Sequence, residues 1–411
     1  MTPEAAGRPL RVMVVAGEPS GDLLGSRLMR ALRRLTGGRI SFSGVGGEAM
    51  TAEGLASQFP MSELTIIGVV EILPKARHLL GRVAEVVAAA RANRPDVLVT
   101  IDSPAFCFRV GKRLKGAGIP LVHYVAPTVW AWRPGRARVI ARFLDHLLVL
   151  LPFEPPWFAK VGLACTFVGH SVVEDAPPPA ELAVAGKAFR TTHGIAAEAP
   201  VICVLPGSRR SEVNLLTPRY AEALSLLAAQ FPGLVAIVPT VPHLAAQVAE
   251  AAAAWPVRAV LVPERENKLV AMAAADVALA ASGTVTLELA LARVPMVVTY
   301  RVNPITAFAV RRLTRLKHAS LINIMNEREI VPEFIQADCT GPKLAAAVAH
   351  ILVEPEARAR QIQEMDSFLK ALGQGGVPPG ERAARAVLDV LAAKGGLPPG
   401  FVMPLSEENP G

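Results

Sequence analysis

The feature that most constrains this chain is an alternation that runs twice along it. Short β-branched apolar runs are separated by stretches with helical periodicity and joined by Gly/Pro-containing turns. In the first half the runs are 11–16 (RVMVVA), 97–101 (VLVTI), 121–125 (LVHYV), 147–151 and 165–168. A proline cluster, APPPA at 176–180, then leads through a polar helical stretch to Pro200. There the pattern restarts: 201–205 (VICVL), 234–238, 259–262, 277–280 and 296–300 (MVVTY), with helical stretches at 219–230, 244–254, 269–275 and 286–292. Strand–helix alternation of this kind specifies a parallel, doubly wound sheet, here formed twice in an α/β chain. The length of 411 residues suits two such domains. The expected division is 1–177 and 178–355, then a helical segment 356–394 and a tail, 395–411, without regular structure.

Composition narrows the setting. Hydrophobic residues make up 52% of the chain, enough for two cores, yet no run of about 18 apolar residues marks a membrane span. The first residues read into Gly, Glu and Asp rather than into a signal-peptide cleavage site. The four cysteines, Cys107, Cys165, Cys203 and Cys339, are scattered, as expected for reduced thiols in the cytoplasm rather than disulfides or a zinc site. The net charge is +8. Residues 1–177 hold 21 Lys+Arg against 14 Asp+Glu, so nearly all the excess lies in the first half. A basic half attracts nucleic acid, anionic lipid or a phosphorylated substrate.

Ligands of open α/β sheets sit at the carboxyl ends of strands, so the turns there carry the candidate chemistry. The first strand runs into Gly17-Glu18-Pro19-Ser20-Gly21-Asp22. Ser20 or Asp22 suits a helix cap, whereas Glu18 in a Gly-rich turn has no packing role. After VLVTI comes Asp102, placed either as a general base or as the anchor of an Asx-turn. The loop 123–133 (HYVAPTVWAWR) brings Trp130, Trp132 and Arg133 together, a combination suited to a sugar face, a phosphate or a base, or else to a Trp-rich loop packed between domains. His123, within its strand, reads as a core histidine. The segment 61–80 is aliphatic and ends near Lys75, Arg77, His78 and Arg82, which fits either a buried helix or a lipid-facing patch. In the second half, Gly207-Ser208-Arg209 and Ser282-Gly283-Thr284, with Glu288 one turn on, suit a diphosphate and a ribose. No Walker motif and no metal-ligand spacing is present, so neither a P-loop nor a metal is expected.

Taken together, VAGEPSGD (15–22), GVGGEAM (44–50), IDSP (101–104), HYVAPTVWAWR (123–133), LPFE (151–154), FVGHSVVED (167–175), LPGSRRSEV (205–213), ASGTVTLELA (281–290), PMVVTYR (295–301) and LINIMNEREIVPEFIQ (321–336) resemble the lipid-A-disaccharide synthase family, in order, over roughly 10–390. The resemblance implies an inverting GT-B glycosyltransferase: two Rossmann-like domains with an interdomain cleft, and no metal or cofactor. It implies UDP-2,3-diacylglucosamine as donor and 2,3-diacylglucosamine 1-phosphate as acceptor. The C-terminal domain would hold the UDP-sugar and 356–394 would return to the N-terminal domain. Asp102 would be the base, with Glu18 second. Arg209 and the turn at Gly283 would stabilise the leaving diphosphate, Asn323, Glu327 and Gln336 would line the donor side, and Ser20, Gly21, Asp22, Trp130, Trp132 and Arg133 would form the loops on the acceptor side. An anionic inner-membrane surface, met peripherally from the cytoplasm, would be the partner; a homodimer is left open. After IDSP the family commonly has Asp, Phe and Asn, where this chain has Ala105, Phe106 and Cys107. Two other readings compete. One is another UDP-sugar enzyme of the same fold, a cell-wall N-acetylglucosamine transferase or a UDP-sugar 2-epimerase, which would share Gly283, Thr284 and Glu288. The other is a basic nucleotide- or RNA-binding protein, for which the cations would interleave with aromatics along one face. They instead cluster near Gly-, Asp- and Trp-bearing loops, so no nucleic-acid partner is expected.

Overall fold

A computed structural model describes residues 8–64, 72–263, 268–304, 306–307, 312, 314 and 316–397, with backbone alone over 72–76. Its contacts divide the chain into two units: Met1–Glu174 with Leu372–Gly411, and Asp175–Ala371.

The first unit is a parallel sheet of β1 (Leu10–Ala16), β2 (Ile40–Val45), β3 (Val97–Ile101), β4 (Leu121–Tyr124), β5 (His146–Val149) and β6 (Cys165–Phe167). Its helices are α1 (Pro19–Leu35), α2 (Glu48–Ala52), α3 (Ile72–Asn93), α4 (Pro104–Leu114), α5 (Arg136–Ile140) and α6 (Pro155–Ala159). Successive strand residues face opposite sides. Val12, Val14 and Ala16 of β1 therefore pack with Leu28 and Met29 of α1, while Met13 and Val15 pack with Val83 and Val86 of α3 and Phe106 of α4. With both faces covered, a central strand is apolar throughout instead of alternating. The last helix, Pro379–Ala393, adds Ala383, Val387, Leu388 and Leu391 to the α1 side. It is tied there by Gly380 N–H to the Glu174 carboxylate (3.1 Å) and by Arg382 to the Phe167 carbonyl (2.9 Å).

The second unit repeats the plan with β7 (Val201–Leu205), β8 (Val235–Pro239), β9 (Arg258–Val262), β10 (Val277–Ala281), β11 (Met296–Tyr300) and β12 (Glu333–Ile335), again all parallel. Around them lie α7 (Pro179–Thr192), α8 (Arg210–Gln230), α9 (Ala245–Ala253), α10 (Lys268–Ala273) and α11 (Val285–Leu291), then the helices Leu321–Asn326, Gly341–Val353 and Pro355–Ala371. No described helix is long and apolar enough to cross a membrane.

Strand order fixes where ligands can sit. In the first unit it is β2-β1-β3-β4-β5-β6, so the chain reverses direction across the sheet between β1 and β3. In the second it is β12-β11-β10-β7-β8-β9, and the reversal lies between β7 and β10. At such a switch point the two following connections depart to opposite faces and leave a crevice beyond the strand ends.

The differences from the sequence reading have physical causes. β2 and β12 were not anticipated. Both are edge strands, and β2 (ISFSGV) has serines where a central strand has Val or Ile. Helix α8 begins at Arg210 rather than 219, continuing through Pro218, with the Thr217 hydroxyl donating to the Val213 carbonyl (2.8 Å). The helical segment 356–394 is two helices. Only the second, Pro379–Ala393, packs on α1; the first, Pro355–Ala371, packs on α11 and Gly341–Val353 of the second unit. The tail from 398 on, and residues 65–71 of the aliphatic segment, lie outside the described residues. Of that segment's cations, His78 and Arg82 both pair with Glu63, at 2.6 and 2.7 Å.

Candidate active site

The switch point of the first unit carries the two candidate carboxylates. Ala16 and Ile101, the last residues of β1 and β3, are register partners, and the chain turns immediately after each. The two turns touch: a Cβ on Gly17 would lie 2.6 Å from the Ser103 hydroxyl. Only glycine allows that approach. Glu18 follows at the N-cap of α1 and reaches the surface. Asp102 and Ser103 adopt left-handed backbone in succession, with φ of +49° and +42°. Two such non-glycine residues cost roughly 1–3 kcal/mol each, a strain that concentrates at functional turns. The Asp102 N–H holds the Tyr124 carbonyl at 2.9 Å, pinning the turn against β4. Burial raises the Asp102 carboxyl above its usual range, partly offset by a bond from the Ser103 backbone N–H. Partial burial and then the Asp102 charge raise Glu18. A pair of neighbouring carboxylates with raised affinity for protons is chemically a proton acceptor site. Behind the turn, Cys107 is fully buried, its thiol directed at the Val15 and Ile101 carbonyls and pushed up by burial, while Ala105 is exposed.

The neighbouring side chains sort into three kinds. Ser20 is exposed in the first turn of α1, and Gly21 is buried against Ala16 and Ile101. Asp22 is turned away from solvent. Its carboxylate accepts from Gly47 N–H (2.7 Å), Ala49 N–H (2.9 Å) and Met50 N–H (3.1 Å), so it caps α2 from a distance. This corrects the expectation of Asp22 as an acceptor contact: its carboxylate is buried and committed to the backbone of another helix, out of a ligand's reach. Trp130 donates to Glu154 (3.2 Å) and stacks edge-on against Phe153. Trp132 and Arg133 are exposed, the guanidinium 4.5 Å from the indole. His123 is buried as expected, with Nδ1 2.8 Å from the Thr100 hydroxyl, and burial brings its pKa down to about 3.

The switch point of the second unit assembles the other motifs. Leu205 of β7 is paired with Ala280 of β10, so the Gly207 and Ser282 turns leave neighbouring strand ends. Gly207 has φ of +114°, and a Cβ there would meet the Glu212 carboxylate at 2.5 Å. That carboxylate accepts from Ser208 N–H (3.0 Å) and pairs with Arg209, whose guanidinium is otherwise exposed. The Ser282 hydroxyl donates to the Ala319 carbonyl (2.7 Å). Gly283 and Thr284 are exposed at the start of α11, and Glu288 pairs with Lys268.

Two residues expected to line this side are turned inward. Asn323 is wholly buried; its amide accepts from Ile330 N–H (2.7 Å) and Val331 N–H (3.0 Å) and donates to the Val331 carbonyl (2.8 Å). Gln336 exchanges two 3.1 Å bonds with the Val302 backbone. Asn323 is corrected to a residue that shapes its loop, since it is wholly buried and its amide serves the backbone; Gln336 is half-buried and also engages backbone. Glu327 is exposed, in left-handed backbone at the end of its short helix. Sequence reasoning missed Glu212, Lys268 and Glu333. Glu333 accepts from Ala319 and Ser320 N–H (2.8 and 2.6 Å) and so holds the loop that receives Ser282. The one readable signal was an acid in the first turn of α8, where the helix dipole favours a carboxylate.

Comparison with known proteins places these motifs. Residues 12–387 match the family model described as lipid-A-disaccharide synthetase. A lipid-A-disaccharide synthase of Rhodospirillum centenum is 52% identical over 94% of this chain and 96% of its own length. One of Ruegeria pomeroyi is 49% identical, with 94% and 96% covered. Among solved structures, the glycotransferase of kitacinnamycin superposes with a TM-score of 0.59 at 19% identity, covering 93% of this chain and 100% of that one. UDP-GlcNAc 2-epimerase of Neisseria meningitidis, bound to UDP-GlcNAc, gives 0.56 at 12%, covering 93% and 100%. The competing epimerase reading is thus matched in fold alone.

Proposed function

The chain belongs to the lipid-A-disaccharide synthetase family, glycosyltransferases of lipid A biosynthesis with the GT-B fold, and on that footing we propose that it joins UDP-2,3-diacylglucosamine to 2,3-diacylglucosamine 1-phosphate. The products are the β-1,6-linked disaccharide 1-phosphate and UDP. The observation that carries the residue assignment is the pairing of Asp102 and Glu18 at the β1/β3 switch point, on touching turns.

Inversion requires one displacement. The acceptor 6-hydroxyl gives its proton to a carboxylate as its oxygen attacks the donor anomeric carbon, and the bond to UDP breaks on the opposite face. Asp102 is the base, with strained backbone aiming it and burial raising its proton affinity. Glu18 keeps the pair's field negative. In the second unit, Arg209 releases Glu212 to meet the diphosphate, beside the exposed backbone of Gly207, Ser208, Gly283 and Thr284. Glu288 accepts from the ribose hydroxyls, and exposed Glu327 lines the donor side. Ser20, Trp132 and Arg133 border the acceptor, with Gly21 packed beneath the turn; Trp130 holds that loop through Glu154.

UDP release with purified protein tests the reading. Release that needs both lipids and survives a chelator is expected, since the proposed reaction uses side chains alone. Turnover with a water-soluble UDP-sugar and none with the lipids would overturn the substrate assignment.

The basic first half supports peripheral docking on the cytoplasmic face of an anionic inner membrane. In sedimentation with anionic vesicles, the protein is expected in the pellet at low salt and largely in the supernatant at high salt. Full recovery in the supernatant at both would count against docking.

A further inference from the structure

The longest acid-free stretch near the candidate base is also where a cavity opens. Residues 103–144 contain eight Lys and Arg and no Asp or Glu. Along them, α4 and α5 border an open cavity of about 290 Å³ whose lining includes Ala105, Phe108, Arg109, Lys112, Arg136 and Phe143. It starts in the first turn of α4, directly after the Asp102–Ser103 turn. Its size, at the low end for small-molecule sites, suits one sugar phosphate rather than a whole diacyl lipid.

The walls are built to hold cations over aromatic rings. The Arg136 guanidinium lies 5.3 Å from the Phe108 ring centroid and the Lys112 ammonium 6.0 Å from that of Phe143. The two rings meet edge-to-face at 5.8 Å. Gly111 seats Phe143, because a Cβ at that position would lie 2.9 Å from the ring. Among the described residues, no carboxylate lies within ion-pairing distance of Arg109, Lys112 or Arg136. Arg136 is half-buried, and burial together with the Arg133 charge lowers its pKa. Arg136 thus lacks a counter-charge, which an arriving anion supplies.

We propose that this cavity binds the phosphomonoester of the acceptor lipid, through Arg136, Lys112 and Arg109, and thereby separates acceptor from donor. The proposal rests on the reading of the reaction given above. A monoester oxygen set takes charge-assisted bonds from the guanidinium edge and the ammonium while the apolar ring faces border the sugar. The donor carries its phosphates as a diphosphate to uridine, on the other unit's loops. Selection of the acceptor by its phosphate leaves the acceptor sugar toward the Asp102 turn, from which α4 departs.

The test is a cycle of protein and acceptor. Binding of 2,3-diacylglucosamine 1-phosphate and of its dephosphorylated counterpart, in detergent, is measured for the parent, Arg136→Gln and Lys112→Gln. The parent is expected to prefer the phosphorylated lipid by roughly tenfold or more, and each variant to lose most of that preference. Binding of UDP, thermal stability and vesicle sedimentation should stay as in the parent. The KM for the phosphorylated acceptor should rise by a similar factor with little change in kcat. Equal weakening for both lipids, or an unchanged preference, would overturn the proposal. Weakened vesicle binding with the preference intact would assign the cations to membrane phospholipid instead. If the parent prefers the phosphorylated lipid yet releases no UDP, the reading of the reaction fails and the binding site stands.

Discussion

Replacing Asp102 with Asn is expected to lower kcat by about 10³-fold while UDP binding persists, because a positioned general base contributes on the order of 10²–10⁴-fold. The same variant is expected to be more stable than the parent at neutral pH. Burial raises the Asp102 pKa on folding, so the folded protein binds a proton that the unfolded chain has already released. Stability is therefore lost as pH rises from the ordinary carboxylate value through the raised one, and Asn removes that loss. In acid, below both values, parent and variant should converge. Thermal unfolding across pH and single-turnover kinetics read both effects. Near-parental turnover would transfer the role to Glu18. A variant less stable than the parent at neutral pH would mean that the turn needs the charge.

Asp22→Ala should strongly destabilise the first unit. It strands three N–H donors at the start of α2, each bonded to a buried carboxylate within 3.1 Å. Charge-assisted bonds of this kind contribute about 1.5–3 kcal/mol apiece, with strong non-additivity, so a total loss of roughly 3–5 kcal/mol is expected in urea denaturation. Asp22→Asn retains one acceptor and should lose less. A change below about 1 kcal/mol for the alanine variant would show that water replaces the carboxylate at no cost.

How legible these features were in the sequence depends on how local their causes are. Val97–Ile101, Val201–Leu205 and Met296–Tyr300 are central strands, apolar on both faces, and their limits are those read from composition. β2 stayed hidden because its serines break the apolar run, and β12 because it is three residues long and opens on Glu333. The placement of Glu18, Asp102, Gly207 and Ser282 at strand ends was legible, because a turn residue after an apolar run is a local pattern. The direction of a polar side chain was not. Asp22 and Asn323 carry the same chemistry as ligand-binding residues, and only the approach of Gly47 or Ile330 in space shows that they serve the backbone. Glu212 lies between these cases, since its spacing from Arg209 was visible but its bond to Ser208 was not.

The helix Pro379–Ala393 has a consequence for synthesis. It completes the core of a unit whose other residues end at Glu174, and all of Asp175–Ala371 is made in between. At about 5–20 residues per second, the ribosome takes roughly 10–40 s over that interval. Throughout it the face formed by Leu28, Met29 and their neighbours lacks its cover, although the second unit can already close. Until the final helix emerges the nascent first unit thus presents apolar surface to its surroundings, and a chain stopped before Pro379 keeps that face open for good.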